Sequence, residues 1–116
     1  MTADQLEARI KAEFPEGSEA TTIITLVDKI GMRHGPMSDV QPQELDPSRW
    51  NAFARDPRLN GKRDRIKKVI SAEINGRRDS WYFESIKIVA NFYLDENQRL
   101  VAPVVIGFPD DVTVGF

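Results

Sequence analysis

The hydrophobic period of this chain changes half-way along, and that change dictates its fold class. From Ala3 to Phe14 the apolar residues Leu6, Ile10 and Phe14 recur every four positions among charged ones, the stripe of an amphipathic helix. Pro15 stops that helix, because the residue before a proline avoids the helical region. A second helix is expected from Glu19, with Ile23, Val27 and Ile30 on one side, widened by Ile24 and Leu26. Ser18 is placed to cap its start and Gly31 to end it. Beyond Asn60 the period becomes two, and strand-like runs follow at Arg65 to Ile74, Trp81 to Leu94 and Leu100 to Phe108.

Pro36, Pro42, Pro47 and Pro57 separate the two halves and prevent any long regular element there. The expected organisation is one domain: a helical hairpin over 1–31, a loop-rich excursion over 32–60, an antiparallel sheet over 61–108 and a tail over 109–116. Within the excursion, Asp46 or Ser48 is placed to cap a short helix carrying Trp50 and Phe53 on one face. Asn75-Gly76 is a hairpin signal after the first strand, and Asp95-Glu96-Asn97-Gln98 forms a turn after the second. The fold class is therefore α+β, with two N-terminal helices packed on one face of a three-stranded antiparallel meander.

Pairing Leu94 with Leu100 sets Phe92 opposite Ala102, Ala90 opposite Val104, Ile88 opposite Ile106 and Ile86 opposite Phe108. That register predicts a core of Leu6, Ile10, Phe14, Ile23, Val27, Ile30, Ile86, Ile88, Phe92, Val104 and Ile106. Pro103 makes the third strand an edge, since it cannot donate to ladders on both sides. Alternation turns Trp81, Phe83, Val89 and Tyr93 to the other face, joined by Val101 and Val105. Such a set is too apolar to stay bare, so it is expected either to bind a protein partner or a second copy, or to be covered by Trp50 and Phe53. A bulge near Asn75-Gly76 would turn Trp81 inward instead. The tail is expected to be dispensable, unless Val112, Val114 and Phe116 add a fourth strand.

Catalytic chemistry has little to work with. The 116 residues hold no cysteine and one histidine, His34, beside Gly35-Pro36. Thiolate metal sites, cysteine nucleophiles and histidine relays are thereby excluded. Asp95-Glu96 belongs to a turn and Asp110-Asp111 to the tail, and no phosphate-cradling motif is present. No enzymatic activity and no cofactor or metal are expected.

Charge offers a second reading. The net charge of −2 favours neither nucleic acid nor an acidic membrane, but residues 58–78 hold eight basic residues against two acidic ones. Arg58, Lys62, Arg63, Arg65, Lys67, Lys68, Arg77 and Arg78 would serve a nucleic-acid-associated or phage-related small protein. They would equally form a solvated face that discourages edge pairing. No apolar run reaches the roughly 20 residues of a membrane span. The first residues lack a signal-peptide core, so the chain as written reads as cytoplasmic.

Two segments carry a resemblance. Phe14-Pro15-Glu16-Gly17-Ser18 joins the helices, and Ser85-Ile86-Lys87-Ile88-Val89-Ala90-Asn91-Phe92-Tyr93-Leu94-Asp95-Glu96-Asn97-Gln98-Arg99-Leu100 reads as strand, turn and strand. Together with the element order they resemble the small two-helix, three-strand domains of the β-lactamase-inhibitor-protein and SmpA/BamE type, several of which are bacterial outer-membrane lipoproteins. Gln98 stands where such domains usually have glycine, and no lipid-bearing cysteine precedes the first helix. The resemblance implies a non-enzymatic module that binds a protein through its sheet or loops. If a leader was removed, it implies a periplasmic or outer-membrane location.

Overall fold

A computed structural model describes residues 1–49, 51–77 and 85–109 of the chain. Helix α1 spans Ala3–Glu13 and opens on a capping box, in which Gln5 N donates to Thr2 Oγ1 at 3.1 Å and Thr2 N to Gln5 Oε1 at 2.9 Å. Helix α2 spans Ala20–Ile30 and ends at Gly31, whose φ of 90° is the left-handed conformation that glycine adopts without strain. Its N-cap is Glu19, with no side-chain cap, because the Ser18 hydroxyl instead donates to Pro15 O and closes the inter-helix turn.

Two dipeptide strands, β1 (Arg33–His34) and β2 (Ser38–Asp39), follow α2, and three ten-residue strands come last: β3 (Lys68–Arg77), β4 (Ser85–Leu94) and β5 (Leu100–Pro109). The long strands form the expected meander in the order β3-β4-β5, and β1 and β2 both pair with the free edge of β3. The sheet thus has five strands where the periodicity marked three. Two-residue strands are too short to show an alternation.

Asn75-Gly76 does not turn the chain. Both residues continue β3, opposite Lys87 and Ile86, and the ladder closes at Arg77 and Ser85. Gly76 serves a close approach: a β-carbon there would collide with the carbonyl oxygen of Met1 and with Ile88 Cδ1, while Arg77 N donates to Met1 O at 2.7 Å. The turn after β4 forms as expected. Asp95 Oδ1 accepts from Asn97 N and Arg99 N, and Gln98 takes the left-handed φ of 61° that a glycine would otherwise supply.

The sheet separates two apolar clusters. On the helix side, Leu6, Ile10 and Phe14 of α1 and Ile23 and Val27 of α2 pack on Ile70, Ile86, Ile88 and Phe92. The rings of Phe14 and Phe92 are perpendicular, with centroids 6.4 Å apart. On the opposite side, Val40, Leu45, Leu59 and Ile66 from the segment before β3 cover Tyr93, Val101, Ala102 and Val104.

A bulge overturns the expected β4–β5 register. Leu94 pairs with Leu100, but Tyr93 then pairs with Ala102, so Val101 is the extra residue and every later position shifts by one. Val104 and Ile106, expected in the helix-side core, therefore belong to the opposite cluster, and Val105 takes their place under the helices. Alternation alone cannot reveal the shift, because residues 100–106 are apolar at both parities.

The short helix expected near Trp50 and Phe53 is absent among the described residues, and Trp50 itself lies outside them. Three 3₁₀ helices, Pro42–Leu45, Pro57–Leu59 and Arg63–Arg65, carry the excursion instead, and it runs on to Lys67. Prolines 42 and 57 start two of these turns, leaving spans too short for an α-helix between them.

Candidate functional site

Four of the six residues expected to form a partner surface are buried: Val89, Tyr93 and Val101 beneath the excursion, and Val105 beneath the helices. Phe53, as one sequence alternative held, packs on the same side, with its ring 6.0 Å from that of Phe108. The sheet face is thus covered by the chain itself. Trp81 and Phe83 lie outside the described residues.

Four of the eight basic residues, Arg58, Lys62, Arg65 and Lys68, face acidic partners. Arg58 Nη1 donates to Glu7 Oε1 at 2.6 Å and its Nε to Asp56 Oδ1 at 2.9 Å. Arg65 and Lys62 share Glu16, and Lys68 reaches Asp39 at 2.7 Å. The hydrogen bond from Arg65, with the charge of Lys62 nearby, holds the Glu16 carboxyl below its usual range. Arg63 donates to Asn60 Oδ1 and to the carbonyls of Ala54 and Asp56, which ties the excursion to itself. Arg77 also has a partner, and Arg78 lies outside the described residues. Among the described residues, these cations are spread over several elements and do not form one uncommitted stripe.

His34 sits in β1 with Nε2 3.1 Å from Asp28 Oδ1 and Nδ1 3.0 Å from Gly35 O, a local tie between α2 and the sheet. Among the described residues, no group of three or more His, Asp or Glu side chains stands close enough to hold a metal, and no helix is long and apolar enough to cross a membrane.

The arrangement that sequence reasoning did not find lies between the excursion and the sheet. The second face of the sheet carries a polar row across its middle, where Ser71 and Asn91 are direct cross-strand partners. Ser71 Oγ donates to Asn91 Oδ1 at 2.7 Å, and Asn91 Nδ2 donates to Tyr93 Oη at 3.1 Å. Glu73, also on this face, pairs with Arg33 at 2.8 Å and approaches Lys87 at 3.7 Å. Beside Asn91 and Tyr93 the excursion stands off the sheet and leaves a cavity of about 170 Å³. Val69 and Val89 form its floor, Val40, Leu45 and Phe53 its roof, and Glu44 and Asn51 add polar groups from the roof side. Asn51 is oriented by its own turn, its Oδ1 accepting from Phe53 N at 2.9 Å. The Tyr93 side chain is only 4% exposed, and burial pushes its phenol pKa up, with the Asp56 and Glu44 charges acting in the same direction.

No protein-family model matches the chain, and no curated protein or solved structure resembles it at a significant level.

Proposed function

We propose that the chain is a non-enzymatic protein-interaction domain whose contacts gather at the end of the sheet where β3 passes to β4 and β5 runs out. One observation carries this reading: among the described residues the only large apolar side chain that is exposed is Met1, at 38%. The described residues therefore offer little apolar contact area, and the remaining residues are the candidates for it. That remainder is rich in it. The seven residues joining Arg77 to Ser85 include Trp81, Tyr82 and Phe83, and those after Pro109 include Val112, Val114 and Phe116. The described residues that flank them lie at one end of the sheet, since Arg77 pairs with Ser85 and Ile86 with Pro109. Tryptophan and tyrosine are the side chains that most often anchor protein interfaces. The order of two helices before a long-stranded antiparallel meander resembles that of the small two-helix, three-strand domains and points the same way as an analogy. The nucleic-acid reading has less support, because Arg58, Lys62, Arg65 and Lys68 already face carboxylates.

A photo-crosslinking phenylalanine analogue at position 81, compared with one at Lys62, tests the proposal in cells of the natural source. An adduct of defined mass from position 81 alone is expected, and so is its loss when Phe83 is also replaced by Ala. Equal crosslinking from both positions, or none from position 81, overturns the reading.

A further inference from the structure

The excursion is closed on itself. At its neck Val40 N donates to Lys67 O at 2.9 Å, beside the pairing of Asp39 with Lys68 in the sheet, and Lys67 N donates to Leu94 O at 2.8 Å. Between those ends, every backbone hydrogen bond that the described residues of 40–66 donate to another backbone group is accepted inside 40–67. Leu59 N donates to Asp56 O, Lys62 N to Leu59 O and Ile66 N to Arg63 O. Arg63 adds side-chain bonds to Ala54 O, Asp56 O and Asn60 Oδ1, again within the segment. A segment built this way can part from the body without leaving its backbone groups unpaired.

Among the described residues, side chains hold the segment to the body. Val40, Leu45, Leu59 and Ile66 rest on Tyr93, Val101, Ala102 and Val104, a cluster of eight buried residues against seventeen on the helix side. Separating the segment from the sheet forfeits the smaller cluster alone and so costs less than unfolding the chain. Adhesion is incomplete beside Asn91, where the cavity of about 170 Å³ keeps excursion and sheet apart. The polar ties run to acidic residues of the helical hairpin: Arg58 reaches Glu7 at 2.6 Å, and Lys62 and Arg65 reach Glu16. Glu16 is 55% exposed, so water screens its pairs and they contribute little. Arg58 is two-thirds covered and also donates to Val105 O, which makes it the principal tie.

We infer that residues 40–66 act as a lid, opening as one body about the neck at Val40 and Lys67 while the helices and the long strands stay folded, with Arg58 as its latch. Opening uncovers the apolar second face of the sheet, with Val89, Tyr93, Val101 and Val104, which the closed form conceals. This inference stands apart from the crosslinking proposal, which concerns the end of the sheet and residues outside the lid.

Amide hydrogen exchange of the full-length protein, followed residue by residue by NMR in urea below the unfolding transition, tests this. The N–H groups of Leu59, Lys62 and Ile66 report on the lid, and those of Ile88, Ala90 and Phe92 on the body. The lid amides are expected to converge on one opening constant, at least about tenfold larger than that of the body and with a smaller urea slope. Two variants separate lid opening from global unfolding. Ile23→Val trims the helix-side cluster, which the open form keeps, so it should speed the body amides about three- to tenfold and leave the lid amides unchanged. Arg58→Met removes ties that the open and the unfolded forms both lack, so it should speed both sets by one factor, about tenfold or more. Should Arg58→Met not fold, Glu7→Gln makes the same comparison with a smaller factor. The inference is overturned if Ile23→Val speeds the lid amides as much as the body amides, if the three lid amides keep separate constants, or if a folded latch variant leaves them unchanged.

Discussion

The β-carbon that Gly76 lacks would occupy the space taken by the carbonyl oxygen of Met1. The first residue thereby lies against the third strand, and its carbonyl accepts from Arg77 N at 2.7 Å. Gly76→Ala should cost roughly 1–3 kcal/mol in urea denaturation, as overpacking against backbone does. Gly107→Ala is the control. Its nearest neighbour would be Ile86 Cδ1 at 3.0 Å, the free end of a side chain that can rotate, so its loss should be clearly smaller.

Phe92 is fully buried and its ring lies perpendicular to that of Phe14. Truncating it to Ala should remove roughly 3–5 kcal/mol of stability, the range for large aromatic side chains in cores. Chemical denaturation at neutral pH measures this directly. A loss under about 1 kcal/mol would contradict the packing of the helix-side cluster.

Arg58 joins three parts of the chain: Glu7 in α1, Asp56 at the second 3₁₀ turn, and Val105 O on β5, which it reaches at 3.3 Å. Arg58→Met keeps the stem and removes every donor, leaving the buried Asp56 carboxylate short of a cation. The expected loss is roughly 1.5–3 kcal/mol, with Arg58→Lys between the two because one ammonium cannot reproduce the fork. Thermal melts of the three proteins give the order.

Tyr93 sets an alkaline limit on stability. Its phenol pKa is raised in the folded state above the ordinary value of about 10, so the unfolded chain releases that proton first as pH rises. The stabilisation is fully present below about pH 10 and is lost as pH climbs toward the folded pKa. Unfolding free energy should therefore fall more steeply above pH 10 in the natural protein than in Tyr93→Phe. Parallel curves for the two would contradict the burial of the hydroxyl.

Both helices, the meander and the edge position of β5 were legible in the sequence, because apolar spacing every four residues and every second residue are strong signals and Pro103 restricts its own strand. The bulge at Val101 was not legible, since neighbouring residues on both faces of β5 are apolar and the pattern scans equally well in either register. Asn75-Gly76 misled for a related reason: a glycine that admits Met1 leaves the same trace in sequence as one that turns a chain. The cavity escaped notice because Glu44 and Asn51 come from a proline-broken segment without periodicity. Ser71 and Asn91 come together only through a cross-strand register that no local pattern displays.

The outer rim of β5 has a consequence for how the protein can assemble. Leu94 O accepts from Lys67 N on the β3 side, so even-numbered residues of β4 bond β3 and odd-numbered ones bond β5. Pro103 and Pro109, opposite Phe92 and Ile86, then face away from the ladder, and Val105 between them already spends its carbonyl on Arg58. An incoming strand would find two prolines without N–H groups and a guanidinium in its path. At the other margin, β1 and β2 are dipeptides interrupted by Gly35-Pro36-Met37. Among the described residues, both margins are thus blunted against pairing with a further strand. Growth of this protein into fibres by edge-to-edge strand addition is therefore disfavoured.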